Sequence, residues 1–308
     1  FGGGYGEKDG WFGFLDLSAD NLFGTGQGML IRGQSGQNQS TYQFRYIYPW
    51  LFPDKLGERV SCTFRRWLTT GKNIYLLEIT ENEGTYNGWE ISFNKPITDD
   101  ISSGISFGSE KVTPLGSSTF EPYISNTVGF SFSYDTRDNW MNPSTGKYYI
   151  ASLRRGWKFT DSNETNFTKN SVDLNEFIKL ADKQTLALHV GAGIGFGDVP
   201  IGEKYYAGGA STIRGYEPSV RGESQSGIKR LIANIEYRYT FNEMFQGVIF
   251  YDTGDAWDDG GIDTTRFMSG HGFGVRLNTP IGPIRLDYGW PGDFNQRGVF
   301  HFSIGQAF

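Results

Sequence analysis

Few residues in this chain could perform bond chemistry, and they are scattered. His189, His271 and His301 do not fall at metal-ligand spacing with one another or with Cys62, the single cysteine. Cys62 lies between Val60 and Phe64 on an apolar face, which reads as packing. His301 alternates with Phe300 and Phe302, as a lumen or seam residue would. The run Gly191-Ala192-Gly193-Ile194-Gly195 superficially resembles a phosphate loop, but it sits inside an alternating segment and opens no helix. Asp99-Asp100 and Asp258-Asp259 read as solvated turn and loop charges. What remains is arginine set near carboxylate: Arg137 with Asp135, Arg238 with Glu236, and Arg285 with Asp287. A further arginine, Arg214, lies in the glycine-rich stretch Tyr205-Tyr206-Ala207-Gly208-Gly209-Ala210-Ser211-Thr212-Ile213-Arg214-Gly215-Tyr216. Guanidinium with carboxylate gives bidentate, charge-assisted bonds. That is the chemistry of holding, so the sequence predicts no enzyme, no cofactor and no metal site.

The elements that must position these groups are strands. In Leu231–Phe241, Leu231, Ala233, Ile235, Tyr237, Tyr239 and Phe241 share one face, opposite Asn234, Glu236, Arg238 and Thr240. Leu186–Phe196, Val128–Tyr134 and Ile284–Trp290 repeat the pattern, and a period of two is the strand signature. A soluble sandwich or propeller would bury its apolar face against a second sheet. Here the other face gathers arginine with carboxylate and the apolar face is almost spared, as expected of a closed barrel with lipid outside and a wet interior.

Composition agrees. The 308 residues are 37% apolar and 16% aromatic with 43 glycines, and mean hydropathy is -0.43. No stretch approaches the roughly 18 apolar residues of a membrane helix. A barrel can be this polar because only alternate residues meet lipid. The net charge of -6 argues against a nucleic-acid partner, which would need a basic surface. One cysteine excludes an internal disulfide framework. The sequence starts at Phe1 without methionine or signal peptide and reads as a mature or truncated segment.

Segments bounded by turn signals number roughly sixteen. They are 1–7, 11–19, 26–35, 39–49, 58–69, 84–97, 100–112, 126–138, 147–158, 166–180, 185–197, 227–241, 245–257, 269–281, 282–291 and 298–308. The fold class predicted is all-β: one transmembrane antiparallel barrel over residues 1–308. Its longest loop, Asp198–Ser226, lies between strands 11 and 12. Tight turns at Leu180–Gln184, Thr240–Phe245 and Thr279–Pro283 contrast with longer loops such as Gly71–Glu83, and an even strand count puts both termini on the periplasmic side. Trp50, Trp67, Trp89, Trp140, Trp157, Trp257 and Trp290 fall near strand ends, where an interfacial girdle would sit.

Several segments carry a family resemblance. Ile213-Arg214-Gly215-Tyr216 resembles the (V/I)-R-G-(F/Y) signature on the sixth extracellular loop of BamA-type outer-membrane insertases and their transporter relatives. Four further stretches resemble family segments in the same order: Asp20–Gly26, Tyr134–Asp138 with Pro143 and Gly146, Phe250–Trp257, and Gly282–Tyr288. The terminal aromatic Phe308, closing an alternating strand, resembles the assembly signal of outer-membrane barrels. The resemblance implies a loop folded back into the lumen, with Arg214 meeting Glu236 and Asp252, both of which alternation independently turns inward. It also implies a weak lateral seam where the first and last strands meet. Gly2, Gly3, Gly4 and Gly6 make a poor strand, with little to pack and much entropy to lose, and Phe300, Phe302 and Phe308 lie on the opposing side. Glycine there serves either a gate or relief of crowding. The implied function is insertion and folding of client β-barrels in a bacterial-type outer membrane, by β-augmentation at the seam. Implied partners are membrane lipids, nascent client barrels, accessory lipoproteins and upstream periplasmic POTRA repeats. The alternatives are a polypeptide-secreting transporter of the same superfamily and a passive porin-like channel.

Overall fold

A strand with one apolar and one polar face must satisfy its backbone groups sideways, and this chain does so by pairing each strand with the next. The computed structural model describes residues 1–6, 10–52, 59–72, 83–116, 118, 120–159, 163–216, 225–279, 282–292 and 296–304. Its first strands are β1 (Gly2–Gly6), β2 (Gly10–Leu22), β3 (Gln27–Gly36), β4 (Gln39–Tyr48), β5 (Ser61–Lys72) and β6 (Glu83–Pro96). There follow β7 (Ile101–Leu115), β8 (Tyr123–Asp135), β9 (Gly146–Trp157), β10 (Phe167–Ala181) and β11 (Gln184–Gly197). The last are β12 (Tyr205–Ala207), β13 (Gln225–Gly227), β14 (Lys229–Thr240), β15 (Phe245–Trp257), β16 (Met268–Thr279), β17 (Gly282–Pro291) and β18 (Val299–Ile304). Sixteen of these form one sheet in chain order, β1 to β11 and then β14 to β18, with antiparallel neighbours. The sequence predicted these sixteen to within three residues at each end, apart from the last, whose end falls outside the described residues. It did not predict β12 and β13, a small antiparallel pair inside the long loop.

The two faces invert the pattern of a soluble protein. On β14, Asn234, Glu236 and Arg238 are buried while Ile235 and Phe241 beside them are exposed. Outward residues such as Ile249 and Phe273 are 60% and 53% exposed. In water that apolar surface would be an aggregation liability; against hydrocarbon it is matched. The polar face closes cross-strand pairs such as Arg32–Asp16 at 2.5 Å and Arg65–Glu90 at 3.2 Å. Trp50, Trp140 and Trp157 are exposed beside strand ends, where the sequence expected them, whereas Trp89 is exposed at the middle of β6. Trp67 departs from the expectation, because its indole N–H turns inward and donates to Glu110 at 2.7 Å. Trp257 departs too, being only 7% exposed.

The two ends of the sheet order are β1 and β18. They approach each other, yet among the described residues no strand register joins them. Glycine on β1 answers a packing need on its other side. A Cβ at Gly2 would stand 2.9 Å from the Phe14 ring, and one at Gly3 2.9 Å from the Phe12 carbonyl oxygen. Gly4, by contrast, faces only ordinary contacts at 3.5 Å.

Candidate functional site: an arginine loop seated in the lumen

The described first part of the connection from β11 to β14, through Tyr216, enters the barrel instead of standing away from it. A turn at Ile201–Glu203 leads into β12, and the chain then reverses at Gly208 and Gly209, with φ of 110° and 103°. The reversal is held internally, since Gly209 N donates to Ile213 O at 3.1 Å and Gly208 N to Thr212 Oγ1 at 2.9 Å. Ile213, wholly buried, packs with Tyr205, Ala207, Ile232, Ala256 and Met268, and Tyr216 leans on the same cluster. Burying one isoleucine contributes about 1.5–3 kcal/mol. This anchors the loop before any charge is counted.

Arg214 then reaches the wall. Its Nε donates to Asp252 Oδ2 at 2.7 Å and its second terminal nitrogen to Asp252 Oδ1 at 2.9 Å, a bidentate fork. The remaining nitrogen donates to Glu236 Oε2 at 2.7 Å and lies 3.5 Å from Asp287 Oδ2. The backbone N–H of Arg214 also donates to Asp252, at 3.0 Å. The guanidinium plane lies 3.5 Å from the centre of the Phe250 ring. Arg214 is 1% exposed and both Glu236 and Asp252 are 0% exposed, so water screens none of this.

Every wall strand from β14 to β18 contributes. Glu236 on β14 also accepts from Arg238 at 2.7 Å and from Arg276 of β16 at 3.0 Å. Asp287 on β17 accepts from Arg276 at 2.5 Å and from Arg285 at 3.4 Å. Arg285 in turn donates to the loop carbonyl of Ala210 at 2.6 Å, and Asn234 donates to that of Thr212 at 2.6 Å. Gly215 donates its N–H to His301 Nε2 of β18 at 2.9 Å. Tyr216 closes the loop by donating its hydroxyl to Ser269 O at 3.0 Å. Four guanidinium groups thus share three carboxylates in a dry network, where removing one partner strands another charge.

Glycine on the wall makes room for this loop. A Cβ at Gly270 would fall 1.7 Å from Arg214 O, and one at Gly289 would fall 2.7 Å from Gly215 N. Gly215 itself has φ 99° with the Trp290 backbone 2.7 Å from where a Cβ would be, so no other residue fits there.

All six residues predicted for the loop lock, Ile213, Arg214, Gly215, Tyr216, Glu236 and Asp252, therefore meet in one place. The seam residues Gly2, Gly3, Gly4 and Gly6 lie on β1, and Phe300 and Phe302 on β18; Phe308 lies outside the described residues. The lock members that the sequence reading missed are Arg276, His301 as an acceptor, Asp287 as a third carboxylate and Phe250 as a platform. Alternation places Arg276 inward between Val275 and Leu277, a signal that was present but carried no partner.

A sixteen-stranded antiparallel barrel with a large loop pinned inside by a buried arginine defines a class of outer-membrane β-barrel. The chain belongs to the Omp85 superfamily, whose domain matches residues 21–308. Outer envelope protein 80, chloroplastic, of Arabidopsis thaliana is 24% identical over 97% of the chain and 43% of that protein. Outer membrane protein assembly factor BamA of Nitratidesulfovibrio vulgaris is 28% identical over 60% of the chain and 26% of its own length. The chain thus spans less than half the length of these curated relatives. Among solved structures, BamA from Haemophilus ducreyi lacking POTRA domains 1-3 superposes with a TM-score of 0.79 at 17% identity, covering 99% of the chain and 69% of that structure. CdiB from Acinetobacter baumannii gives 0.66 at 13% identity, over 98% and 57%. These likenesses show the fold.

Proposed function

We propose that this barrel is the membrane domain of a BamA-like assembly factor, which inserts and folds client β-barrels in an outer membrane. The observation that carries this reading is the Arg214 network, which pins one loop to the five wall strands running up to the seam. It gives the last five of the sixteen strands a rigid frame and leaves β1, glycine-rich and five residues long, to be the yielding edge. Five backbone positions of β1 are a template on which an incoming strand can pair. No ATP, cofactor, metal or covalent step enters; the binding energy of strand pairing and the lipid beside the seam do the work. Both termini then lie on the periplasmic side, at the same end as the tight β10–β11 turn, with POTRA repeats and accessory lipoproteins meeting the barrel there. Residues 1–308 act as one domain.

Liposomes carrying the purified chain test this against an unfolded small barrel as client. Client folding, read by protease protection, should run several-fold faster than in empty liposomes. Paired cysteines that crosslink β1 to β18, in a Cys62→Ser background, should abolish the acceleration while the fold persists. Full acceleration in the crosslinked form would refute gating at this seam. A steady open conductance unaffected by Arg214→Ala would instead mark a passive channel. Export of a polypeptide, without any effect on client folding, would mark a secretion transporter.

A further inference from the structure

The outward wall of β2 to β5 holds one residue at odds with its surroundings. The register aligns Leu17 with Ile31, Ile31 with Phe44, Phe44 with Arg66 and Arg66 with Trp89, so all five share the lipid-facing side. Leu17, Ile31 and Trp89 are exposed, as is Arg66 itself. Its neighbour Arg65 takes the opposite course, entering the lumen to meet Glu90. The Phe44–Arg66 pair stands in the middle of a ladder that runs from Gln39–Gly71 to Tyr48–Cys62. This is mid-wall, where a cation facing hydrocarbon is most unfavourable.

One terminal nitrogen of Arg66 donates to Gly88 O at 2.6 Å and Trp67 O at 3.2 Å. Among the described residues no carboxylate comes within ion-pair distance of Arg66. The rest of the guanidinium borders a groove of about 520 Å³ on the same face, lined by Leu15, Leu17, Ile31, Tyr42 and Leu68. Gly33 forms its floor, since it lacks the side chain that every second outward position otherwise supplies.

We propose that this groove is a binding site for an anionic membrane lipid, with the lipid phosphate on Arg66 and an acyl chain along Gly33 between Leu15 and Tyr42. The chemistry is complementary at both ends: a guanidinium fork matches phosphate, and the groove is apolar where a chain would lie. A phosphate held at mid-wall draws the headgroup below its usual level, and the long arginine stem shortens that distance by snorkelling. The site depends only on which face meets lipid and stands whether or not the barrel inserts clients.

Native mass spectrometry of the chain released from mixed phosphatidylglycerol and phosphatidylcholine nanodiscs tests it. The wild-type chain should retain phosphatidylglycerol in preference by about fivefold, the factor expected of one cation beside an anionic lipid. Arg66→Leu should lose that preference, and Arg66→Lys should keep most of it. Gly33→Leu, which fills the groove and spares the charge, should weaken retention of the lipid. Neither Arg66→Leu nor Arg66→Gln removes an internal ion pair, so heat-modifiable gel mobility should show both folded. Equal lipid preference in wild type and Arg66→Leu, or displacement of the lipid by inorganic phosphate, would overturn the assignment.

Discussion

Gly215 of the lumen loop donates its backbone N–H to His301 Nε2 of the last strand at 2.9 Å. Through this bond the Arg214 network reaches the last strand of the sheet, since His301 lies between Phe300 and Phe302 on the opposite face of β18. Loss of the acceptor strands a buried N–H, which costs about 1–3 kcal/mol. His301→Ala should therefore raise hydrogen exchange across β18 by roughly 5–150-fold, while exchange in β8 to β10 stays unchanged. His301→Gln, whose side-chain oxygen can accept the same bond, should restore part of the protection. Uniform loosening of the whole barrel would instead mean that His301 only packs.

Arg214 binds Asp252 in a fork and Glu236 through its remaining nitrogen. Arg214→Ala leaves both carboxylates buried without it, a change of about 3–5 kcal/mol for a buried pair broken from one side. The midpoint of urea unfolding in lipid should fall accordingly. Arg214→Lys should recover little, because an ammonium cannot span both carboxylates in one plane. A double substitution, Arg214→Met with Asp252→Leu, should be less harmful than Arg214→Ala alone, as removing both charges avoids stranding one.

The turn from β8 to β9 offers a pH test outside the membrane span. Burial raises the Asp138 carboxyl, but hydrogen bonds from the Ser144 hydroxyl and the N–H groups of Ser144, Thr145 and Asn139 more than offset it and leave its pKa lowered. A lowered folded pKa means that the carboxylate stabilises the turn above its unfolded value of about 3.9. That stability is lost as pH falls through the folded value. Deuterium uptake at 139–145, corrected for the intrinsic exchange rate at each pH, should accordingly rise in acid, below about pH 4. Asp138→Asn should show fast uptake at every pH, and a wild-type turn indifferent to acid would contradict the assignment.

Alternation made the barrel legible because its cause is local: each strand shows its two faces in its own residues. The same logic turned Glu236 and Asp252 inward, and the loop motif supplied their partner. The rest depended on which strands become neighbours across the lumen. Arg285 and Asp287 read as a pair two residues apart, yet Asp287 meets Arg214 only because β17 stands beside the folded-back loop. Arg276 and Asp287 are cross-strand diagonal neighbours, a relation fixed by register. Trp67 and Arg66 show the limit on the other side. Both types suit an interface, but their position mid-strand sends one to Glu110 and the other to lipid. The glycine-rich first strand was ambiguous for a physical reason: Gly2 and Gly3 are crowded by β2, whereas Gly4 is not.

The wall glycines under the loop give the sharpest test of its seat in the lumen. Ala at position 270 would place a methyl 1.7 Å from Arg214 O, and Ala at position 289 would place one 2.7 Å from Gly215 N. Both obstacles are backbone, which cannot rotate away, so the loop must lift. Gly270→Ala should weaken the Arg214–Asp252 fork without replacing any charged residue. Two consequences follow from one methyl group: a lowered unfolding midpoint, close to that of Arg214→Ala, and larger, longer conductance openings in planar bilayers as the lumen clears. Gly261→Ala, at a loop position where nothing lies within 4 Å and φ is not positive, serves as the control and should leave conductance at the wild-type level. If Gly270→Ala conducts no more than wild type while its stability falls, the loop is seated there but does not close the lumen.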